Sequence, residues 1–331
     1  MKRSIKLQLT IVGTIVSISA CSHATKPQQV AALKFQSNPA ELVDSLNHVF
    51  GDHKQRASHA KGFCATGTFT PNEHASHLSK TVLFAAPSQA SVRFSIGGGN
   101  PKVSDKSHSI RGLAARLSHA GQSYDLLMIS EPVFFAATTE SFVSFLKARV
   151  PDPATKKPNP ESVIAHSEKY PESKLQGTLV AAHAAPSSYA STPYFTTNAF
   201  GLVNAKQHTQ WARLSLAPVD GKHYLTEEQE KSLSDNFLED EMHARLKNGA
   251  AKFTLYAQLA EPTDTLTNPT VEWPAERKQV ELGVLSIDTA TAQACVNKMF
   301  NPTNLPDGIV ASDDPILHAR AGAYAVSRSR R

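Results

Sequence analysis

Cysteine is scarce in this 331-residue chain: Cys21, Cys64 and Cys295 are all it has. Three thiols so far apart form neither a disulfide framework nor a zinc-binding spacing. Long apolar runs are confined to the first residues, and beyond Ile18 nothing approaches the ~20 residues that a membrane-spanning helix needs. An excess of one charge is missing too. Lys and Arg number 34 and Asp and Glu 29. Setting aside Lys2, Arg3 and Lys6 leaves 31 against 29, a balance that carries no nucleic-acid footprint. The one tight basic cluster, Arg328, Arg330 and Arg331, reads as a solvated tail. What is abundant is apolar: 40% hydrophobic and 19% charged residues describe a globular chain, long enough to bury a substantial core.

Residues 1–21 read as an export signal. Lys2, Arg3 and Lys6 precede the apolar stretch Leu7 to Ile18, which is too short to span a bilayer. It ends in Ile18-Ser19-Ala20-Cys21, which resembles a bacterial lipobox. Cys21 would then carry a lipid and be the sole link to a membrane, whereas ordinary cleavage nearby would discard it. Either way the expected location is exported, in the periplasm. Residues 22–36 are a polar tether and 37–331 the folded domain. An exported compartment permits a bridge between Cys64 and Cys295, but the spacing leaves their pairing open.

Asn38-Pro39-Ala40-Glu41 opens a helix, with Leu42, Leu46 and Phe50 on one face. Cys64 to Phe69 reads as a strand and Pro71 to Leu78 as a helix. Ser91 to Ile96 alternates as a strand does, and Gly97-Gly98-Gly99 ends it. Strands are predicted at Ile110 to His119 and Tyr124 to Phe135, and an amphipathic helix at Glu140 to Val150. Residues 151–162 form a long connection. Strand-like segments return at 194–204, 209–217, 252–260 and 279–287, with a helix from Thr226 to Leu246 among them. Asp313-Asp314-Pro315 starts a last helix running to about Arg328. The fold class is α+β, with neighbouring strands mostly antiparallel.

Segments spread over nearly the whole chain carry a resemblance: Arg56-Ala57-Ser58-His59-Ala60-Lys61-Gly62; Val92-Arg93-Phe94-Ser95; Arg111-Gly112-Leu113-Ala114 through Tyr124-Asp125-Leu126 to Pro132-Val133-Phe134-Phe135; and Arg320-Ala321-Gly322-Ala323-Tyr324. Their order and separations are similar to those of catalases, and the length and C-terminal ending look most like the small catalase-related peroxidases. The resemblance implies an antiparallel β-barrel catalase core with flanking helices, holding haem b (iron protoporphyrin IX) against a C-terminal ligand helix.

Within that resemblance Tyr324 is the iron ligand. A free phenol ionises near pH ~10, so it needs the iron and a nearby cation to bind as phenolate, and Arg320 lies four residues earlier on the same helix face. His59 matches the distal histidine that moves a proton between the two peroxide oxygens, which requires a neutral ring with a fixed tautomer. Ser95 matches the partner on its other nitrogen, and strand alternation puts Arg93 and Ser95 on one face. Arg56 and Arg93 match the arginines that pair with haem propionates. Phe135 matches the phenylalanine stacked on haem, although Phe134 could face it instead. Phe142 and Phe145 either wall the pocket or are ordinary helix packing.

One departure stands out. Catalases carry an asparagine just before the Pro-Val-Phe-Phe run. Here that position falls on Ser130, or on Ile129 if the alignment slips by one. Ser130 has one donor hydrogen in place of two. The expectation is a peroxidase that reduces hydrogen peroxide or organic hydroperoxides with a small external electron donor, with weak catalase activity. The alternative is an exported haem-binding protein without turnover. Length leaves monomer or homodimer open. His74 and His77 lack a third metal ligand, and Gly97-Gly98-Gly99 is followed by Asn100-Pro101 instead of the helix a phosphate loop needs.

Overall fold

The computed structural model describes residues 38–331. The export signal, the lipobox cysteine Cys21 and the tether lie outside the described residues. Helix α1 (Pro39–Phe50) begins as its sequence dictates: Asn38 Oδ1 accepts the Glu41 amide at 2.9 Å and Pro39 takes the first turn. After a long loop the chain enters β1 (Gly62–Pro71), a short helix α2 (Glu73–Leu78) and β2 (Ser88–Ile96). Next come β3 (Arg111–His119), β4 (Gln122–Ile129) and α3 (Thr139–Lys147). Helices α4 (Pro160–Lys169) and α5 (Lys174–Ala181) lead to β5 (Tyr194–Phe195), β6 (Phe200–Val203) and β7 (Thr209–Pro218). The chain finishes with α6 (Glu227–Ser232), α7 (Phe237–Asn248), β8 (Ala251–Leu259), β9 (Gln279–Ala290), β10 (Ile309–Ala311) and α8 (Pro315–Ser329).

The strands pair antiparallel in the order β7-β5-β4-β3-β2-β1-β9-β8, and β8 returns to β7, closing an eight-stranded barrel. Strands β6 and β10 continue outward from the first half of β7. Closure leaves the barrel itself no free edge. Alternation along β2 sends Val92, Phe94 and Ile96 into the core, where Phe94 meets Phe63 and Tyr189 at ring separations of 5.4 and 5.3 Å. It sends Arg93 and Ser95 to the other face. On that side α1, α3 and α8 pack through Leu42, Val143 and Ala319, and the space left between helices and barrel becomes the site.

Several expectations are corrected. The strand expected to reach Phe135 ends at Ile129, because Glu131-Pro132 follows and proline has no N–H for the ladder. The helix expected over Thr226 to Leu246 is two helices: Asp235 is drawn into contacts with Ser104, Asp105 and Lys61, so residues 233–236 leave the helical path. The segment 194–204 is broken at Thr196–Ala199, where Asn198 turns toward α8. Helices α4 and α5 fall in and after a stretch read as connection, since neither has a strong apolar face. Cys64 and Cys295, whose pairing the sequence left open, are joined in a disulfide.

Candidate active site

His59 comes from the loop before β1, not from a regular element, and its φ of 53° places a non-glycine residue in the left-handed region. The Gly97–Gly99 run explains how that loop is seated. Gly98 accepts the Ala60 amide at 3.1 Å, and a Cβ on Gly99 would lie 2.5 Å from the Ala57 carbonyl. His59 Nδ1 lies 3.0 Å from Ser95 Oγ. The Ser95 hydroxyl donates to the Gly112 carbonyl at 3.4 Å, leaving its oxygen to accept Nδ1–H, so that Nε2 keeps its lone pair. Burial, then the charges of Arg93 and Arg320, push the His59 imidazole down to about 3.

Tyr324 lies about one and a half turns before the end of α8 at Ser329. Arg320 Nε donates to its hydroxyl oxygen at 3.1 Å, and Arg320 Nη1 donates to Asn198 Oδ1 at 2.9 Å. Asn198 in turn donates from Nδ2 to Asp314 Oδ2 at 2.7 Å, while Asp314 Oδ1 caps α8 by accepting the Ile316 and Leu317 amides. The guanidinium that faces the phenol is therefore held from behind by a buried amide and a buried carboxylate. A cationic donor on that oxygen stabilises negative charge there.

Both groups face one cavity of about 400 Å³, well within the range of small-molecule sites. Phe134, Phe135, Phe142 and Phe145 form an aromatic wall, with Phe135 centred 4.3 Å from Phe134 and 4.2 Å from Phe145. Because residues 133–135 are not a strand, the alternation that would send one of Phe134 and Phe135 away does not apply, and both line the cavity. Arg56, Arg93 and Arg331 also line it, and among the described residues none has a carboxylate partner. Arg93 donates to the Ala60 carbonyl at 3.0 Å, and Arg56 to the Lys298 carbonyl at 3.1 Å. Burial, then Arg56, brings Arg93 down to about 9.

Ser130 is not brought to this site. Its hydroxyl accepts the Arg111 amide at 3.0 Å and borders a separate small cavity beside His183. Ile129 lines the large cavity instead, so an apolar side chain faces it where the resemblance expected Ser130. Sequence reasoning also missed Arg331, read as part of a solvated tail; its partner in that cluster, Arg330, pairs with Asp44 at 2.5 Å. No periodicity announced it, because Arg331 lies beyond the end of α8 at Ser329. Asn198 and Asp314 gave no signal of a role at the site. His74 and His77 sit on α2 away from the cavity, and the described residues hold no cluster of metal-binding side chains.

An aromatic-walled cavity with unpaired cations and an arginine-backed phenol fits a flat, apolar, carboxylate-bearing macrocycle such as haem. The model of the catalase family matches residues 38–331. A catalase-related peroxidase of Synechococcus elongatus is 37% identical over 88% of this chain and 88% of its own length. A second, of Mycolicibacterium paratuberculosis, is 32% identical over 87% and 93%. The solved catalase A of Saccharomyces cerevisiae superposes with a TM-score of 0.76 at 19% identity, over 84% of this chain and 61% of that one, a likeness of fold. The chain thus spans about three fifths of that larger catalase, and it belongs to the catalase family.

Proposed function

We propose that this protein is a haem b peroxidase that reduces hydrogen peroxide or organic hydroperoxides with a small external electron donor and dismutates hydrogen peroxide only weakly. The observation that carries this reading is one cavity with the Arg320–Tyr324 pair and the Ser95–His59 pair both facing it, and Ile129 in its wall. Tyr324 would bind the iron, Arg56, Arg93 and Arg331 the propionates, and Phe135 would lie against the ring. When bound, haem supplies the iron that takes up peroxide and the electrons that break its O–O bond.

The protein's own part is proton transfer and exclusion of water. His59 Nε2 takes the proton from the inner peroxide oxygen and returns it to the outer one, so that water or an alcohol departs. The pair Ser95 and Gly112 keeps the ring in the tautomer this needs. Ile129 offers a second peroxide molecule no hydrogen bond, which disfavours the dismutation half-cycle and leaves reduction by a donor as the better-served route. Retention of the His59–Ser95 pair favours an enzyme over a haem-binding protein without turnover. The Cys64–Cys295 bridge supports export to an oxidising compartment, and Cys21 would be the point of lipid attachment if the signal is of lipoprotein type.

The test is spectroscopy and turnover of the haem-reconstituted protein. A ferric tyrosinate-type spectrum that changes on adding peroxide and recovers on adding a phenolic donor supports the reading. A spectrum that peroxide leaves unmoved supports binding alone, and no Soret band after haem supplementation defeats both.

A further inference from the structure

Gln176, on α5, lines the large cavity and is 8% exposed, a buried amide that the peroxide chemistry leaves unused. Its Nε2 donates to the Val133 carbonyl at 2.8 Å. A carbonyl only accepts, so this bond fixes which way the amide faces, and Oε1 is left without a partner among the described residues. Nor is that oxygen sealed into the packing, so the little surface that Gln176 keeps in the cavity includes it. Val133 leads directly into Phe134 and Phe135, whose segment has left β4 and is tied elsewhere by the Phe134 amide to the Pro269 carbonyl at 2.8 Å. The amide is thus bonded at the base of the aromatic wall.

A buried acceptor without a hydrogen bond calls for a ligand that brings one. Haem does not. Its edge carries methyl, vinyl and carboxylate groups, none with a polar hydrogen at neutral pH, and arginines of the lining are there for the carboxylates. The cationic side chains of the lining only donate, and its serine and threonine hydroxyls donate as readily as they accept. Oε1 of Gln176 and Nε2 of His59 are the side-chain nitrogen and oxygen atoms of the lining that accept without a hydrogen of their own, and Nε2 is committed to peroxide. From a free acceptor set at an aromatic wall we infer that Gln176 determines specificity for the electron donor. It receives the hydroxyl or amino hydrogen of an aromatic reductant, a phenol or an aniline, whose ring lies against Phe134. Each phenol gives up one electron and its hydroxyl proton. Two phenols and one hydrogen peroxide yield two waters and two phenoxyl radicals, with the protons ending on the peroxide oxygens. An amide is too weak a base to take the proton itself, so Gln176 aims the O–H and stays unchanged.

This inference rests on the peroxidase reading, and the two fail differently. Haem-reconstituted protein is titrated calorimetrically, without peroxide, with para-cresol and with its methyl ether, para-methylanisole, which keeps the ring and lacks the hydrogen. Para-cresol is expected to bind about five-fold tighter to wild type. Gln176→Leu should bring the two probes to equal affinity and raise KM for para-cresol by a similar factor. Damage to the aromatic wall alone would weaken both probes alike and leave the preference. His59→Ala, which removes the other free acceptor, should keep the preference, and this arm stands whether or not Gln176→Leu loads haem. Equal binding in wild type means that water alone meets Oε1, and it overturns the inference. So does a preference that survives Gln176→Leu or disappears in His59→Ala, and each of these leaves the peroxidase reading standing. A chain that takes up no haem, or a loaded protein whose spectrum peroxide leaves unmoved, overturns both.

Discussion

Ser95 Oγ holds the Nδ1 edge of His59 at 3.0 Å, and the absence of a side chain at Gly112 is what gives the pair room. A Cβ on Gly112 would lie 2.6 Å from Ser95 Oγ and 2.7 Å from His59 Nδ1. Ser95→Ala should therefore slow the reaction with peroxide by about ten-fold, through loss of orientation, whereas His59→Ala should slow it by about 100-fold or more. Gly112→Ala should act like Ser95→Ala or worse. Stopped-flow absorption with haem content as the control measures all three. A His59→Ala protein that reacts as fast as wild type removes His59 from the chemistry.

The pH dependence follows from the same residue. With its imidazole pushed down to about 3, from an ordinary ~6.5, His59 is neutral over the whole physiological range, with a ring nitrogen free to accept a proton. The rate of reaction with peroxide should stay flat from about pH 8 to about pH 4.5 and fall only below that. Stability has the matching sign. The unfolded chain takes up a proton on this histidine below about 6.5 and the folded one does not, so its contribution is complete above that pH and declines as pH drops toward 3. An inflection of the rate near 6.5 would contradict the enclosure seen for His59.

Ile129→Asn puts a carboxamide where an apolar side chain lines the cavity. The ratio of oxygen evolved to donor oxidised should rise by about ten-fold or more, at little cost in fold, because the side chain is half-buried at the end of β4. Oxygen-electrode and dye-oxidation assays on one preparation give the ratio. Ser130→Asn should leave it unchanged, since Ser130 faces the other cavity. If Ser130→Asn moves the ratio and Ile129→Asn does not, the placement of the two residues is reversed.

Much of this was legible in the sequence. The His-Ala-Lys-Gly frame, the alternation placing Arg93 and Ser95 together and the i,i+4 spacing of Arg320 and Tyr324 are all local patterns, and local geometry converts them directly into shared faces. Where the chain leaves regular structure the pattern fails. Past Ile129 no alternation rule connects Phe134 with Phe135, and only the tertiary path decides that Ile129 and not Ser130 meets the cavity. Asn198 and Arg320 are 122 residues apart, and Cys64 and Cys295 are 231 apart; barrel closure brings such pairs together, and no periodicity announces it.

Asn198 is the link between Arg320 and the carboxylate of Asp314. Asn198→Leu removes both hydrogen bonds and leaves a buried Asp314 oxygen without its amide partner. Haem affinity should fall by about ten-fold, and the ferric spectrum should shift as Arg320 loses its fixed aim at Tyr324. Competitive transfer of haem to apomyoglobin measures the affinity. Unchanged affinity and spectrum would mean that Arg320 is held by Tyr324 alone.

The disulfide should matter both for stability and for loading. Cys295 fastens the segment whose Lys298 carbonyl receives Arg56 and whose Met299 and Phe300 line the cavity, while Cys64 anchors it to β1. Without the bridge that segment is held by hydrogen bonds alone: the Thr291 amide donates to the Cys64 carbonyl, the Arg116 and Arg56 guanidiniums to the Met299 and Lys298 carbonyls, Lys298 Nζ to Ser91 Oγ, and the Asn301 amide to the Asp125 carboxylate. A Cys64→Ser, Cys295→Ser double variant should lose about 2–4 kcal/mol of stability, lowering Tm by roughly 4–10 °C. It should also bind haem more weakly, because the Arg56 anchor and one wall of the site loosen together. Treating wild type with dithiothreitol should reproduce both effects. If reduction lowers Tm but leaves haem affinity intact, the bridge braces the barrel and the segment holds its place at the site unaided.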